Sequence, residues 1–181
     1  MEIPAFVIHH PSAKDREDCV IDLQAKTGAF VSEAIWFEEK NKRHIGCTLS
    51  HIVVANTAKK ILPDNYYLVF EDDCILSDNW TEILTNFQDY DIVYLGYTDI
   101  CEHTIFGTHG LLISPKARDI IIEHALEYKD KVLHEGACDQ ILTKLIRDYK
   151  LKFKLPSHSR RQEFAHQKKG LVSQISGNLR K

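Results

Sequence analysis

Two hydrophobic periods alternate along the chain. Ala5–His9 is a short apolar run and reads as a strand. Ser12 is placed to cap a helix, with Asp15 as an acidic variant of the capping box. That helix runs through Cys19, Val20 and Leu23 and stops at Gly28. Phe30–Phe37 alternates weakly as a second strand, and a charged loop, Glu38–His44, follows. Ile45, Leu49, Ile52, Val53 and Ile61 recur at helical spacing, which predicts a helix over Gly46–Ile61. Tyr66–Phe70 is a continuous β-type run, as expected of a strand buried on both faces. Ser77 and Asp78 are placed to cap a helix from Asn79 to Phe87. Ile92–Leu95 and Leu111–Ile113 are further buried strands, and Ser114-Pro115 opens a helix with proline at its first position. Ala137–Tyr149 carries Ile141, Leu142, Leu145 and Ile146 on one helical face, and Leu151–Leu155 alternates apolar and basic as an edge strand. Strands alternating with helices predict an α/β fold: one three-layer domain over residues 1–181 with a mainly parallel central sheet.

Composition narrows the class. The chain is 44% hydrophobic and 27% charged, which excludes collagen-like, mucin-like and disordered readings. No stretch approaches the roughly 20 apolar residues of a membrane helix, and Met1-Glu2 lacks the basic start of a signal peptide. The five cysteines form no CxxC pair and read as free thiols of a reducing compartment, so a cytoplasmic location is expected. The net charge of -3 is unevenly spread. Residues 150–181 hold nine basic residues against the single acid Glu163, or +8, which leaves -11 for the first 149 residues. A basic C-terminal segment on an acidic body calls for an anionic partner. Aromatics are sparse there (Phe153 and Phe164), which argues against nucleic acid and allows at most peripheral membrane contact.

The chemistry concentrates at Glu71-Asp72-Asp73, directly after the most apolar strand. Open α/β sheets bind ligands at the carboxyl ends of their strands. Three adjacent carboxylates repel one another unless a cation neutralises them. With a strand period of two, Glu71 and Asp73 point the same way and share one Mn²⁺ or Mg²⁺, while Asp72 points to a ribose hydroxyl or a backbone amide. The P-loop, GxGxxG, HExxH and GxSxG patterns are all missing from the sequence.

His44-Ile45-Gly46-Cys47-Thr48-Leu49-Ser50-His51 precedes the triplet by about twenty residues. The G-C-x-x-S-H segment, the E-D-D strand end, Asp91–Gly96, Gly107–Ala117, Cys138–Leu142 and Ser173-Gln174-Ile175 follow in an order that resembles glycosyltransferase family 25, the lipooligosaccharide and collagen galactosyltransferases. His44 and Leu111 depart from that pattern, and the chain is shorter between Arg16 and His44. The resemblance implies a GT-A fold and transfer of a hexose, galactose or glucose, from a UDP-sugar with Mn²⁺ to a glycan or protein-linked hydroxyl, with inversion, as in lipopolysaccharide biosynthesis. It also implies roles. Glu71 and Asp73 hold the metal and His166 supplies a third ligand. Asp139 is the general base, and Ser50 and His51 line the nucleotide pocket beside Asp72. Arg160, Arg161, Lys168 and Lys169 are expected to meet the diphosphate, where their charge offsets that of the leaving group. Two other classes stay open: a non-catalytic nucleotide-sugar or glycan binder, and a metal-dependent nucleotidyltransferase.

Overall fold

The computed structural model describes residues 3–39, 42–101, 104–131, 137–157, 159 and 163–168. Its strands are β1 (Ala5–His9), β2 (Phe30–Glu33), β3 (Tyr67–Glu71), β4 (Cys74–Leu76), β5 (Ile92–Tyr94), β6 (Asp99–Cys101), β7 (Thr104–Phe106), β8 (Gly110–Ile113), β9 (Phe153–Lys154) and β10 (Ala165–Gln167). The helices are α1 (Glu17–Thr27), α2 (Arg43–Ile61), α3 (Pro115–His124) and α4 (Ala137–Asp148). Six strands form the central sheet in the order β2-β1-β3-β8-β5-β9. β1 runs parallel to β2 and β3, and β5 parallel to β9, while β8 is antiparallel to both β3 and β5. The sheet is thus mainly parallel with one reversed strand. β8 follows the β6–β7 hairpin without a crossover helix, which is the connection an antiparallel neighbour permits.

Side-chain alternation along β1 sorts the core into two layers. Phe6 and Ile8 pack with Val54, Ala55 and Ala58 of α2, Ala117 and Ile121 of α3, and Leu145 of α4. Ala5 and Val7 pack on the opposite face with Val20 and Leu23 of α1 and with Phe164 and Ala165 of the C-terminal segment. Val7, Val69, Phe70 and Val93 are fully buried, and burial of each such side chain contributes about 1.5–3 kcal/mol relative to exposure. The three-layer expectation holds.

Local signals hold where the partner groups are close in sequence. The Ser114 side chain accepts the Ala117 amide with Pro115 in the first turn of α3, and Gly28 ends α1 in the left-handed conformation at φ 67°. Elsewhere the structure differs. Ser12 does not cap α1: its hydroxyl lies 2.6 Å from His10 Nδ1, and a 3-10 turn over Lys14–Arg16 leads into the helix. The helix expected from Asn79 to Phe87 is two 3-10 turns, Trp80–Leu84 and Phe87–Asp89, broken by Asn86 at φ 57°. Ser77 spends its hydroxyl on Asn79 Oδ1 at 2.7 Å. The strand expected over Phe30–Phe37 stops at Glu33. β4 and β10, which pair antiparallel, carry no period-two signal long enough to read. No helix among the described residues is long and apolar enough to cross a membrane.

Candidate active site

Glu71 is the last residue of β3, and Asp72-Asp73 form a turn into β4. The strand period therefore ends before it can align Glu71 with Asp73, and the three carboxylates go to different places. The Asp72 carboxylate is buried and receives the Arg16 guanidinium at Oδ1. Its Oδ2 lies 3.0 Å from His9 Nδ1 and 3.4 Å from the His10 amide, so of its two expected partners the backbone amide is met. Asp73 is fully buried, with Oδ2 3.4 Å from Arg16 Nη1. Burial pulls the Arg16 pKa down, but Asp73 and Asp72 more than offset this, and the guanidinium stays charged.

Glu71 alone of the triplet turns toward β8 and α2. Its Oε1 accepts the Thr108 hydroxyl at 2.8 Å and stands 3.9 Å from His51 Nε2, while Gln167 Nε2 reaches Oε2 at 3.5 Å. Thr108 also ties in Asp139. The amides of Gly107 and Thr108 donate to Asp139 Oδ1 at 3.1 and 3.0 Å. Gly107 makes this turn at φ 112°, where a side chain would be strained. Burial, then the charges of Glu71 and Cys47, raise the Asp139 pKa to about 7 against the pull of the Gly107 amide and the Thr108 side chain. A carboxyl near neutrality and next to a second carboxylate suits proton transfer.

On α2, Cys47 and His51 are one turn apart, and Cys138 lies in the first turn of α4. Their ligand atoms all lie within 4.8 Å of one another. Burial lowers the His51 pKa, but the Cys47 thiol and Glu71 more than offset it and hold the imidazole at about 10. The Cys138 thiol pulls the Cys47 pKa down, against burial and with help from His51.

A cavity of about 90 Å³ opens at this end of the sheet, lined among others by Trp36, Arg43, Cys47, His51 and Glu71. Arg43 stacks over the Trp36 ring at 4.3 Å, and His10 approaches the same ring at 5.1 Å. An aromatic ring and a guanidinium beside open space fit a base and an anionic group.

The structure brings only some of the expected site residues together. Glu71, Asp73 and His166 are not gathered here: the Cys47, His51 and Cys138 cluster is the only set of three such side chains within 4.8 Å among the described residues. The reason is the turn at Asp72, which buries Asp73 against Arg16, while His166 sits in β10 opposite Ile75. Ser50 borders the cavity, but its hydroxyl donates to the Gly46 carbonyl and accepts the Ile35 amide, each at 2.8 Å, so it fastens α2 to the segment after β2. The C-terminal segment does return to this end of the molecule, because the Lys168 amide donates to the Asp73 carbonyl at 2.8 Å. The Lys168 ammonium, however, meets the Asp15 carbonyl at 3.3 Å. Arg160, Arg161 and Lys169 lie outside the described residues. Arg16, Trp36, Arg43, Thr108 and Cys138 went unmarked in the sequence as site residues. Only the i, i+4 pairing of Cys47 with His51 was open to reading there.

Residues 23–104 match the sequence profile of glycosyltransferase family 25 (LPS biosynthesis protein). The match supports assignment to glycosyltransferase family 25. The family 25 segment includes Gly46–His51 and Glu71–Asp73, and it ends before Thr108 and Asp139. No curated protein sequence matches the chain. Among solved structures, a glycosyltransferase involved in the glycosylation of the major capsid of PBCV-1 has a TM-score of 0.55 at 12% identity, over 85% of this chain and 81% of its own. The glycosyltransferase GlyE of Streptococcus pneumoniae TIGR4 has a TM-score of 0.53 at 12% identity, over 87% of this chain but 46% of its own. At these identities the likeness is one of fold, and that fold is the GT-A-like α/β layer arrangement.

Proposed function

We propose that the chain is a glycosyltransferase that moves a hexose from a UDP-sugar to a hydroxyl of a glycan or glycosylated protein, with inversion. The cavity beside Trp36 and Arg43 takes the nucleotide diphosphate. The ring packs against the base, and the guanidinium offsets phosphate charge. Asp139 takes the proton of the acceptor hydroxyl as its oxygen attacks the anomeric carbon and the bond to the diphosphate breaks. Thr108 and Gly107 orient that carboxylate, and Glu71 holds Thr108 from the other side. The observation that supports this most is the pair of carboxylates joined through Thr108, one lining the cavity and the other at the start of α4. Mn²⁺ would stabilise the departing diphosphate. The structure does not gather the three side chains expected to hold it, so the steps above use the chain's own groups. The basic C-terminal residues Arg160, Arg161 and Lys169 are proposed diphosphate contacts, and a cytoplasmic location and a lipopolysaccharide-type acceptor belong to the same proposal.

Incubation with a panel of nucleotide sugars and simple glycan acceptors, read as UDP release and product mass, tests this. UDP release that disappears in Asp139→Asn with the fold intact supports the enzyme. UDP binding without turnover on any donor means a binding protein instead. Pyrophosphate or nucleoside monophosphate as product means nucleotidyl transfer.

A further inference from the structure

We propose that Cys47, His51 and Cys138 form a site for a thiophilic divalent cation, zinc by its ligand chemistry, that clamps α2 to α4. The three ligand atoms lie within 4.8 Å of one another. Zinc bonds of about 2.3 Å to sulfur and about 2.0 Å to nitrogen set tetrahedral ligands roughly 3.3–3.8 Å apart, so no pair has to close by more than about 1–1.5 Å when the ion enters. Cys47 and His51 need no backbone movement to face one ion, because they stand one turn apart on a single helix. A second observation points to a ligand. His51 is only 8% exposed, and its Nε2 is buried without a hydrogen-bond partner. A buried polar atom in that state costs stability, and a cation or its bound water satisfies it.

The donor set is soft. Two thiolates and an imidazole select zinc over manganese or magnesium, which prefer oxygen. The fourth position faces Glu71, whose Oε1 stands 3.9 Å from His51 Nε2, and is filled by that carboxylate or by water. Cys47 and His51 line the 90 Å³ cavity, which provides the route in. Uptake takes the ligands to two thiolates and a neutral imidazole, the protons they carry passing to solvent, and the two thiolate charges balance the dication. No redox partner is required. Occupancy fixes the first turn of α4, where Asp139 follows Cys138 directly, and so the ion is a positioning element for that carboxylate. The cation site stands apart from the glycosyltransferase reading, and only its positioning of Asp139 rests on it.

Co²⁺ titration of the full, reduced, metal-free chain provides the test. The expected result is a saturable thiolate-to-cobalt charge-transfer band with tetrahedral visible bands, displaced by one equivalent of Zn²⁺ and unaffected by excess Mn²⁺. The bands should vanish in Cys47→Ser and Cys138→Ser and persist in Cys19→Ser, whose thiol is buried elsewhere. Circular dichroism of each variant separates loss of ligand from loss of fold, and His51→Gln supplies a third ligand deletion if either serine variant is unfolded. A folded wild type without bands, bands that survive in the ligand variants, or a Cys47–Cys138 disulfide that re-forms in preference to metal uptake under mild reductant would each overturn the site. Failure of the sugar-transfer assay would leave all these readouts unchanged.

Discussion

Gly46 lies directly against the carbonyl of Ile35: a Cβ on Gly46 would stand 2.4 Å from that oxygen. The obstacle is backbone, so no side-chain rotation relieves it. Gly46→Ala is therefore expected to push α2 off the segment after β2, at about 1–3 kcal/mol. Chemical denaturation measures the loss. The donor cavity borders the same segment, so donor KM should rise with it. An unchanged midpoint would mean that α2 does not dock on Ile35.

Ser50 completes that docking, because it holds the Ile35 amide and the Gly46 carbonyl through one hydroxyl. Ser50→Ala leaves the Ile35 amide without its acceptor, at a cost of about 1–3 kcal/mol. The expected outcome is a lower Tm with donor KM nearly unchanged. A large rise in KM at constant Tm would instead make Ser50 a nucleotide contact.

Arg16 and Asp72 form a buried ion pair, with side chains 5% and 7% exposed. Removing one partner of such a pair strands the other charge and typically costs about 3–5 kcal/mol. Asp72→Ala is expected to destabilise by that order, and Arg16→Met by as much or more, since Arg16 also faces Asp73. Urea midpoints with unchanged slopes check both. A neutral Asp72→Ala would mean that solvent reaches the pair.

These pairs mark how far the sequence could be read. Tyr67–Glu71 and Gly110–Ile113 were legible because strands buried on both faces are continuous apolar runs. Ser114-Pro115 and Gly28 were legible because a cap and its helix are neighbours in sequence. The segments that carry Glu71 and Asp139 stood out through motif resemblance, and the structure joins the two carboxylates through Thr108. Arg16 was not, because its partner Asp72 lies 56 positions away and nothing local marks an arginine as buried. The alignment of Asp73 with Glu71 was misread because alternation holds only while the strand lasts, and β3 ends at Glu71. The β4–β10 pair consists of two three-residue strands whose stability comes from each other, so neither segment shows it alone. The cysteine–histidine cluster was half legible: Cys47 and His51 share a helix face, but only the packing of α4 on α2 brings Cys138 to them.

Thr108 offers the sharpest separation of roles, because its amide serves Asp139 and its hydroxyl serves Glu71. Thr108→Val keeps the amide and the side-chain shape and removes only the hydroxyl. It should weaken donor binding through Glu71, and kcat should fall far less than in Asp139→Asn, since the Asp139 carboxylate keeps both backbone donors and loses only the Thr108 side chain's help in holding its pKa down. Asp139→Asn is the converse. An amide oxygen still accepts from Gly107 and Thr108, so Tm and UDP affinity should hold, but the group can no longer take a proton. The expected fall in kcat is about 10²–10⁴-fold, the ordinary worth of a positioned general base. Equal losses of kcat in the two variants would mean that Glu71 and Asp139 act as one structural unit, and the proton acceptor would then have to be sought elsewhere along the cavity.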